Sequence, residues 1–157
     1  MNYQYLATPI GTLRLVSDGT HMTRIEFEGQ YRPEPGEREH PDPVLGDCAR
    51  QLTEYFAGTR REFDLPLAAD GTEFQHSVWR SLEAIPYGEV RSYRDIARTI
   101  RREKAVRAVG AANGRNPLPV VVPCHRVVGS DGRLTGFAGG LETKAALLRL
   151  EGALPAE

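Results

Sequence analysis

Residues 92–114 read SYRDIARTIRREKAVRAVGAANG. Ser92 with Asp95 three positions later has the form of a capping box, and Ile96, Ala97 and Ile100 give the short helix that follows an apolar face. The polar break 101–103 interrupts it. Positions 104–113 then predict a second helix, with Ala105, Val106, Ala108 and Val109 available for packing and Gly114 as terminator. Two short helices joined by a tight turn form a helix-turn-helix. Such pairs also occur in ordinary cores, so the pattern alone admits a DNA reader or a structural pair. Arg94, Arg98, Arg101, Arg102, Lys104, Arg107 and Arg115 all fall within 22 positions. That density suits phosphates, the alternative being a solvated charged face.

Upstream, Thr72 is placed to cap a helix whose Phe74, Val78 and Leu82 recur every four residues until Pro86-Tyr87-Gly88 breaks it, with Trp79 beside the stripe. The N-terminal half has a different character. Its first 28 residues alternate apolar and polar side chains, as in Leu13-Arg14-Leu15 and Ile25-Glu26-Phe27-Glu28. Turn residues stand at Thr8-Pro9-Ile10-Gly11 and Ser17-Asp18-Gly19, which predicts an antiparallel meander. Residues 30–43, rich in proline and acid, have no periodicity and are expected to form an exposed, mobile loop. Leu45, Cys48, Leu52, Tyr55 and Phe56 follow helical spacing up to Gly58, which puts Cys48 in the core as an inert structural thiol. Phe63, Leu65 and Leu67 alternate, predicting a last strand over 62–67 before a linker at 68–71. The expected class is α+β. A small N-terminal domain of antiparallel sheet plus helix, residues 1–70, precedes a mainly helical domain, residues 71–157, that carries the helix-turn-helix.

Charge divides at the same place. Residues 1–70 hold 7 basic and 12 acidic side chains and residues 71–157 hold 13 and 9, although the whole chain is at −1. A basic half beside an acidic one is expected where only the first meets a polyanion. With 40% hydrophobic and 26% charged residues the composition is that of a globular protein, and the longest aliphatic run, Val120–Val122, excludes a membrane span. No basic segment followed by an apolar core marks the N-terminus, so a cytoplasmic protein is expected. The two cysteines, Cys48 and Cys124, lack the spacing of a metal cage, and in a reducing compartment both are expected to stay free.

Cys124 lies in Pro123-Cys124-His125-Arg126-Val127-Val128-Gly129, off any amphipathic stripe and flanked by His125 and Arg126, whose positive charge favours a thiolate. Adjacent residues of an extended chain point to opposite faces, so a proton relay from Cys124 to His125 requires a bend or a water. Given the bend, a neutral His125 takes the thiol proton while a carboxylate holds its other nitrogen, and Glu151 is the candidate. A buried cysteine beside a packed histidine remains the structural alternative.

Phe74-Gln75, Val78-Trp79, Ile85-Pro86-Tyr87-Gly88, Ser92-Tyr93, Arg107-Ala108-Val109-Gly110, Asn116-Pro117, Pro123-Cys124-His125-Arg126-Val127 and Gly139-Gly140-Leu141 occur in one order. Together they closely resemble the O6-alkylguanine-DNA alkyltransferases, almost continuously over residues 71–152. The resemblance implies DNA repair by irreversible, single-turnover transfer of an alkyl group from O6-alkylguanine in double-stranded DNA, with O4-alkylthymine as a second base, and it implies no cofactor and no metal. Cys124 would be the acceptor, with His125 and Glu151 as a water-linked relay. Asn116 would tie the helix-turn-helix to an active-site strand. Tyr93 would turn the base out and donate toward guanine N3, and Arg107 would fill the vacated stack. Arg94, Arg102 and Ser130 would contact DNA, while the carbonyls of Cys124 and Val127 accept from the guanine amine. Val127, Phe137 and Ala138 would line the pocket. The partner implied is a minor groove whose nucleotide is flipped, bound by a protein monomeric in solution and without membrane contact.

Two positions depart from the family pattern. Arg101-Arg102-Glu103 stands where a Gly-x-Pro turn is common, and Phe137 stands where many members have Tyr, which removes a hydroxyl from the pocket wall. Other functions remain open at this level. One is a hydrolase built on Cys124 and His125, although adjacent residues poorly match such spatially assembled pairs. Another is a helix-turn-helix regulator. A damage sensor without chemistry is a third, but such sensors lack the reactive cysteine that this chain keeps.

Overall fold

In the computed structural model, which describes residues 1–155, the chain divides into two units, Met1–Asp70 and Gly71–Glu157. In the first, strands β1 (Asn2–Thr8), β2 (Gly11–Ser17) and β3 (Met22–Glu26) form the antiparallel meander, ordered β3-β2-β1. Asp18 shapes the second turn by accepting from the backbone N–H groups of Thr20 and His21 at 2.8 and 2.7 Å. Helix α1 (Pro43–Phe56) begins at the Asp42 cap, which accepts from Leu45 N–H, and ends where Gly58 adopts φ 79. Its Leu45, Cys48, Leu52 and Tyr55 are fully buried. Burial pushes the Cys48 thiol up to about 12, which leaves it unreactive as expected of a core residue.

The proline-rich stretch is more ordered than its composition predicts. Residues Arg38–Glu39 form a short strand, β4, parallel to β1 at the sheet edge. Ahead of it Glu37, its side chain 2% exposed, meets Arg14 at 2.5 Å and Arg24 at 2.8 Å. Arg14 also reaches Glu26 at 2.7 Å and lies over the Tyr3 ring. This buried ionic cluster covers the side of β2 opposite Leu13 and Leu15, so both faces of the central strand are excluded from water. The strand expected over 62–67 is reduced to one bridge, Met22 to Leu67. Pro66 has no N–H to give, and the buried Gln51 amide takes the ladder's place by pairing with both backbone groups of Asp64 at 2.9 Å.

In the second unit α2 (Glu73–Glu83) starts from a complete Thr72/Gln75 capping box, and its Trp79 indole N–H donates to the Ala112 carbonyl at 2.9 Å. Helix α3 (Tyr93–Thr99) starts from the Ser92/Asp95 box. The turn that follows keeps helix-turn-helix geometry without glycine. Arg101 takes φ 59, and the N–H groups of Arg101 and Arg102 close onto the carbonyls of Arg98 and Ala97. This Schellman closure normally favours glycine, and an L-residue there costs about 1 kcal/mol. Helix α4 (Val106–Gly114) starts two residues later than expected and takes in Gly114, the expected terminator, so that Arg115 is its C-cap.

The aliphatic run after α4 is a buried turn and not a strand. Val120 stands at φ 72, and Val122 N–H returns to the Leu118 carbonyl at 2.9 Å. A single 3₁₀ turn, Cys124–Arg126, follows, and then strand β6 (Val127–Val128) pairs in parallel with β5 (Arg91–Ser92). That short ladder sets the start of α3 beside the segment leaving Cys124. Helix α5 (Leu141–Leu150) closes the unit, and none of the described helices is long and apolar enough to cross a membrane.

Burial pushes the Glu37 carboxyl up, but its bonds from Arg14, the Glu34 N–H and Arg24 outweigh this and hold it at about 2. A depressed carboxylate contributes stability above its ordinary value of 4.5 that is lost as pH falls toward about 2. In urea titrations, Glu37→Gln is expected to lower the unfolding free energy by about 2 kcal/mol near neutral pH, with a deficit that shrinks below about pH 4. A deficit independent of pH would contradict this assignment.

Candidate active site

The 3₁₀ turn supplies the bend that a Cys124–His125 relay requires. Three residues that alternate in an extended chain are gathered onto one tight turn, all nearly buried, with Cys124 5% and His125 0% exposed. Asn116 holds the approach to that turn. Its Nδ2 donates to the Val122 carbonyl at 2.8 Å and its Oδ1 accepts from Leu118 N–H at 3.0 Å, which braces the left-handed Val120 between them. The expected tie from Asn116 is therefore to a turn, not to a strand. Asn113, buried on α4, adds a bond from Nδ2 to the Cys124 carbonyl at 3.4 Å, and that carbonyl also accepts from Val127 N–H.

At the end of α5, Glu151 meets the turn. His125 Nε2 lies 2.7 Å from Glu151 Oε2, and Arg126 donates from Nε to Oε1 at 2.8 Å and from Nη2 to Oε2 at 3.1 Å. A carboxylate engaged by arginine through both oxygens is acceptor-only, so the hydrogen of a neutral His125 belongs on Nε2. His125 Nδ1 then carries a lone pair, and it is a buried atom with no hydrogen-bond partner. Burial drives the His125 pKa down, and the charges of Arg126 and Lys144 lower it further against the pull of Glu151.

The flanking positive charge does not make Cys124 a resting thiolate. Burial pushes its thiol up to about 11, while a hydrogen bond from Asn116 and the charge of Lys144 draw it back. The Arg126 charge is spent on Glu151, and a neutral His125 offers none. The arrangement is that of a buried thiol whose neighbour in the same turn carries a bare, buried imidazole nitrogen.

Lys144 on α5 is fully buried. Burial pulls its ammonium down to about 8, and Nζ donates to the Thr135 carbonyl at 2.8 Å. Tyr93 OH donates to the same carbonyl at 3.2 Å and accepts from Thr135 Oγ1 at 3.1 Å. The Tyr93 ring sits against Gly110, where an added Cβ would lie 3.8 Å from it, so the starts of α3 and the middle of α4 approach closely there. Val127 is fully buried, Phe137 half-buried and Ala138 exposed.

Arg94, Arg98, Arg101, Arg102, Lys104, Arg107 and Arg115 are all exposed, and among the described residues none is in a salt bridge. Ser130 is exposed as well, in the loop after β6. The structure thus gathers Cys124, His125, Glu151 and Asn116 into one site, with Tyr93 held by Thr135, and leaves Arg94, Arg102, Arg107 and Ser130 on the surface. Sequence reasoning missed three participants. Arg126 was visible only as a charged neighbour, and neither Lys144 nor Asn113 gave a signal.

Comparison with known proteins follows the same division. Residues 73–153 match the family model of the 6-O-methylguanine DNA methyltransferase DNA binding domain, and residues 1–69 match that of its ribonuclease-like domain. The methylated-DNA–protein-cysteine methyltransferase of Methanosarcina acetivorans is 47% identical over 97% of this chain and 99% of its own. The constitutive Bacillus subtilis protein of that name is 48% identical over 96% of each. The crystal structure of Mycobacterium tuberculosis OGT in complex with DNA superposes with a TM-score of 0.92 at 44% identity, covering 98% of this chain and 94% of that one. The chain belongs to the 6-O-methylguanine DNA methyltransferase family.

Proposed function

We propose that this protein repairs alkylated DNA by moving the alkyl group from O6 of guanine, and from O4 of thymine, in duplex DNA onto Cys124. The single observation that carries this reading is the buried turn on which Cys124 and His125 are neighbours, with His125 Nε2 2.7 Å from Glu151 Oε2 and its Nδ1 buried without a hydrogen-bond partner. Acting directly or through a water, Nδ1 takes the thiol proton as Sγ attacks the alkyl carbon. The C–O6 bond breaks and its electrons pass to the purine. The Tyr93 phenol donates toward N3 as that charge develops, and the proton that left sulfur restores the phenol. The product thioether has no carbonyl for water to attack, so each molecule acts once.

The alkyl carbon inside a duplex is out of reach of a buried thiol, which requires the nucleotide to be flipped. Arg107, exposed near the start of α4, is the wedge that enters the stack from the minor groove. Arg94, Arg102 and Ser130 hold the flanking backbone, supported by the unpaired cations around them. Tyr93 must exchange Thr135 for the base. The carbonyls of Cys124 and Val127 accept from the guanine amine, which at Cys124 displaces the long bond from Asn113. Val127, Phe137 and Ala138 line the pocket, where ring packing serves in place of a tyrosine hydroxyl. The protein works as a monomer in the cytoplasm and needs no cofactor.

Incubation with duplex DNA containing O6-methylguanine is expected to clear the lesion, and Cys124→Ser to abolish clearance while leaving DNA binding intact. Clearance by Cys124→Ser would overturn the proposal. Arg107→Ala should slow repair of duplexes at least about tenfold more than reaction with free O6-benzylguanine, which needs no flipping. Equal losses on both substrates would remove the wedge. Asn116→Ala takes a hydrogen bond from the developing thiolate, so Cys124 alkylation by iodoacetamide at fixed pH should slow about tenfold. An unchanged rate would show that Asn116 only shapes the turn.

A further inference from the structure

Arg126 occupies a place that the transfer chemistry leaves unexplained. It is 6% exposed and all three of its nitrogens are engaged, with Nη1 donating to the Ile85 carbonyl at 2.7 Å in addition to the two bonds to Glu151. The Tyr87 ring lies 5.7 Å from its guanidinium carbon. Glu151 Oε2 is shared between Arg126 and His125, so one carboxylate serves two side chains that can each be cationic.

In a site closed to water that sharing decides the histidine's charge. A buried carboxylate facing only a histidine draws a proton onto the ring, because the imidazolium–carboxylate pair is neutral overall. With Arg126 present Glu151 is already neutralised, and a proton on His125 leaves the cluster with an uncompensated positive charge. The other groups facing His125 reinforce this. From its own turn comes Arg126, and from the end of α5 and its interior come Glu151 and the fully buried Lys144. Helix α2, packed against the same turn, buries Val78 and Leu82 and keeps Glu73, Arg80 and Glu83 exposed.

We propose that Arg126 is a positioning residue that neutralises Glu151, keeps His125 uncharged with its hydrogen on Nε2, and so presents Nδ1 as the acceptor for the Cys124 proton. Arginine suits the task because its planar fork spans both carboxylate oxygens while a third nitrogen anchors it to Ile85, a pattern that a lysine ammonium cannot match. The use of Nδ1 in alkyl transfer rests on the function proposed above. The charge state of His125 does not.

The full-length protein labelled with ¹⁵N-histidine allows the ring nitrogens to be followed by NMR from about pH 5 to about pH 9, with His125 assigned through His125→Asn. In the wild type His125 is expected to remain neutral, protonated on Nε2, throughout the range. In Arg126→Met it should become cationic within that range, with a midpoint at least about one pH unit above its lower limit, and the acid limb of methyl transfer from O6-methylguanine duplexes should move up with it. A cationic His125 in the wild type at neutral pH, or a ring in Arg126→Met that titrates as in the wild type, would overturn the proposal. Should Arg126→Met fail to fold, Arg126→Lys decides. It keeps the charge without the fork, so its His125 should stay neutral while transfer slows about tenfold, and a cationic ring there is the contrary result. Absence of transfer in the wild type would count against the proposed function and leave the NMR comparison standing.

Discussion

One carboxylate, that of Glu151, organises the reactive half of this protein. Its oxygens join the end of α5 to the turn bearing Cys124, His125 and Arg126. Those bonds dictate which nitrogen of His125 carries hydrogen and which is left to accept. A thiol raised to about 11 by burial is a poor nucleophile by itself, and on the mechanism proposed above the bare imidazole nitrogen of His125 takes its proton at the moment of attack. On that proposal the nucleophile is concealed, protected while idle and ionised only when a substrate supplies an electrophile.

Around this site the fold acts as a frame that couples surface to interior. The β5–β6 ladder sets Tyr93 beside the segment leaving Cys124, and Trp79 fixes α4 to α2 through the Ala112 carbonyl. Asn113 and Arg107 lie on the same helix, one turned inward to the Cys124 carbonyl and the other exposed to solvent. Arg101 in the left-handed region shows how strongly the helix-turn-helix geometry is imposed, since the closure is kept without the glycine that usually supports it.

What could be read from the sequence was local or periodic. The capping residues Thr72, Ser92 and Asp95, the Gly58 stop, the alternation of the first strands and the inward side of α1 depend on neighbours within a few positions, and all appear as read. The long-range features were hidden. Glu37 stands in an acidic, proline-rich stretch that looks unstructured until Arg14 and Arg24 are placed against it from β2 and β3. The expected strand over 62–67 failed because a glutamine side chain on α1 satisfies the backbone there. In the site, adjacency suggested that Arg126 acts on Cys124, whereas its partner lies 25 residues away. Lys144 could not be recognised because nothing in a helical stripe distinguishes a buried ammonium from a surface one.

Stoichiometry tests the central claim most directly. With excess duplex carrying O6-methylguanine, peptide mass spectrometry should find one methyl group per chain, on Cys124, with repair ceasing once every chain is modified. Repair continuing well beyond one lesion per protein, or repaired DNA alongside an unmodified Cys124, would contradict a single-use acceptor thiol.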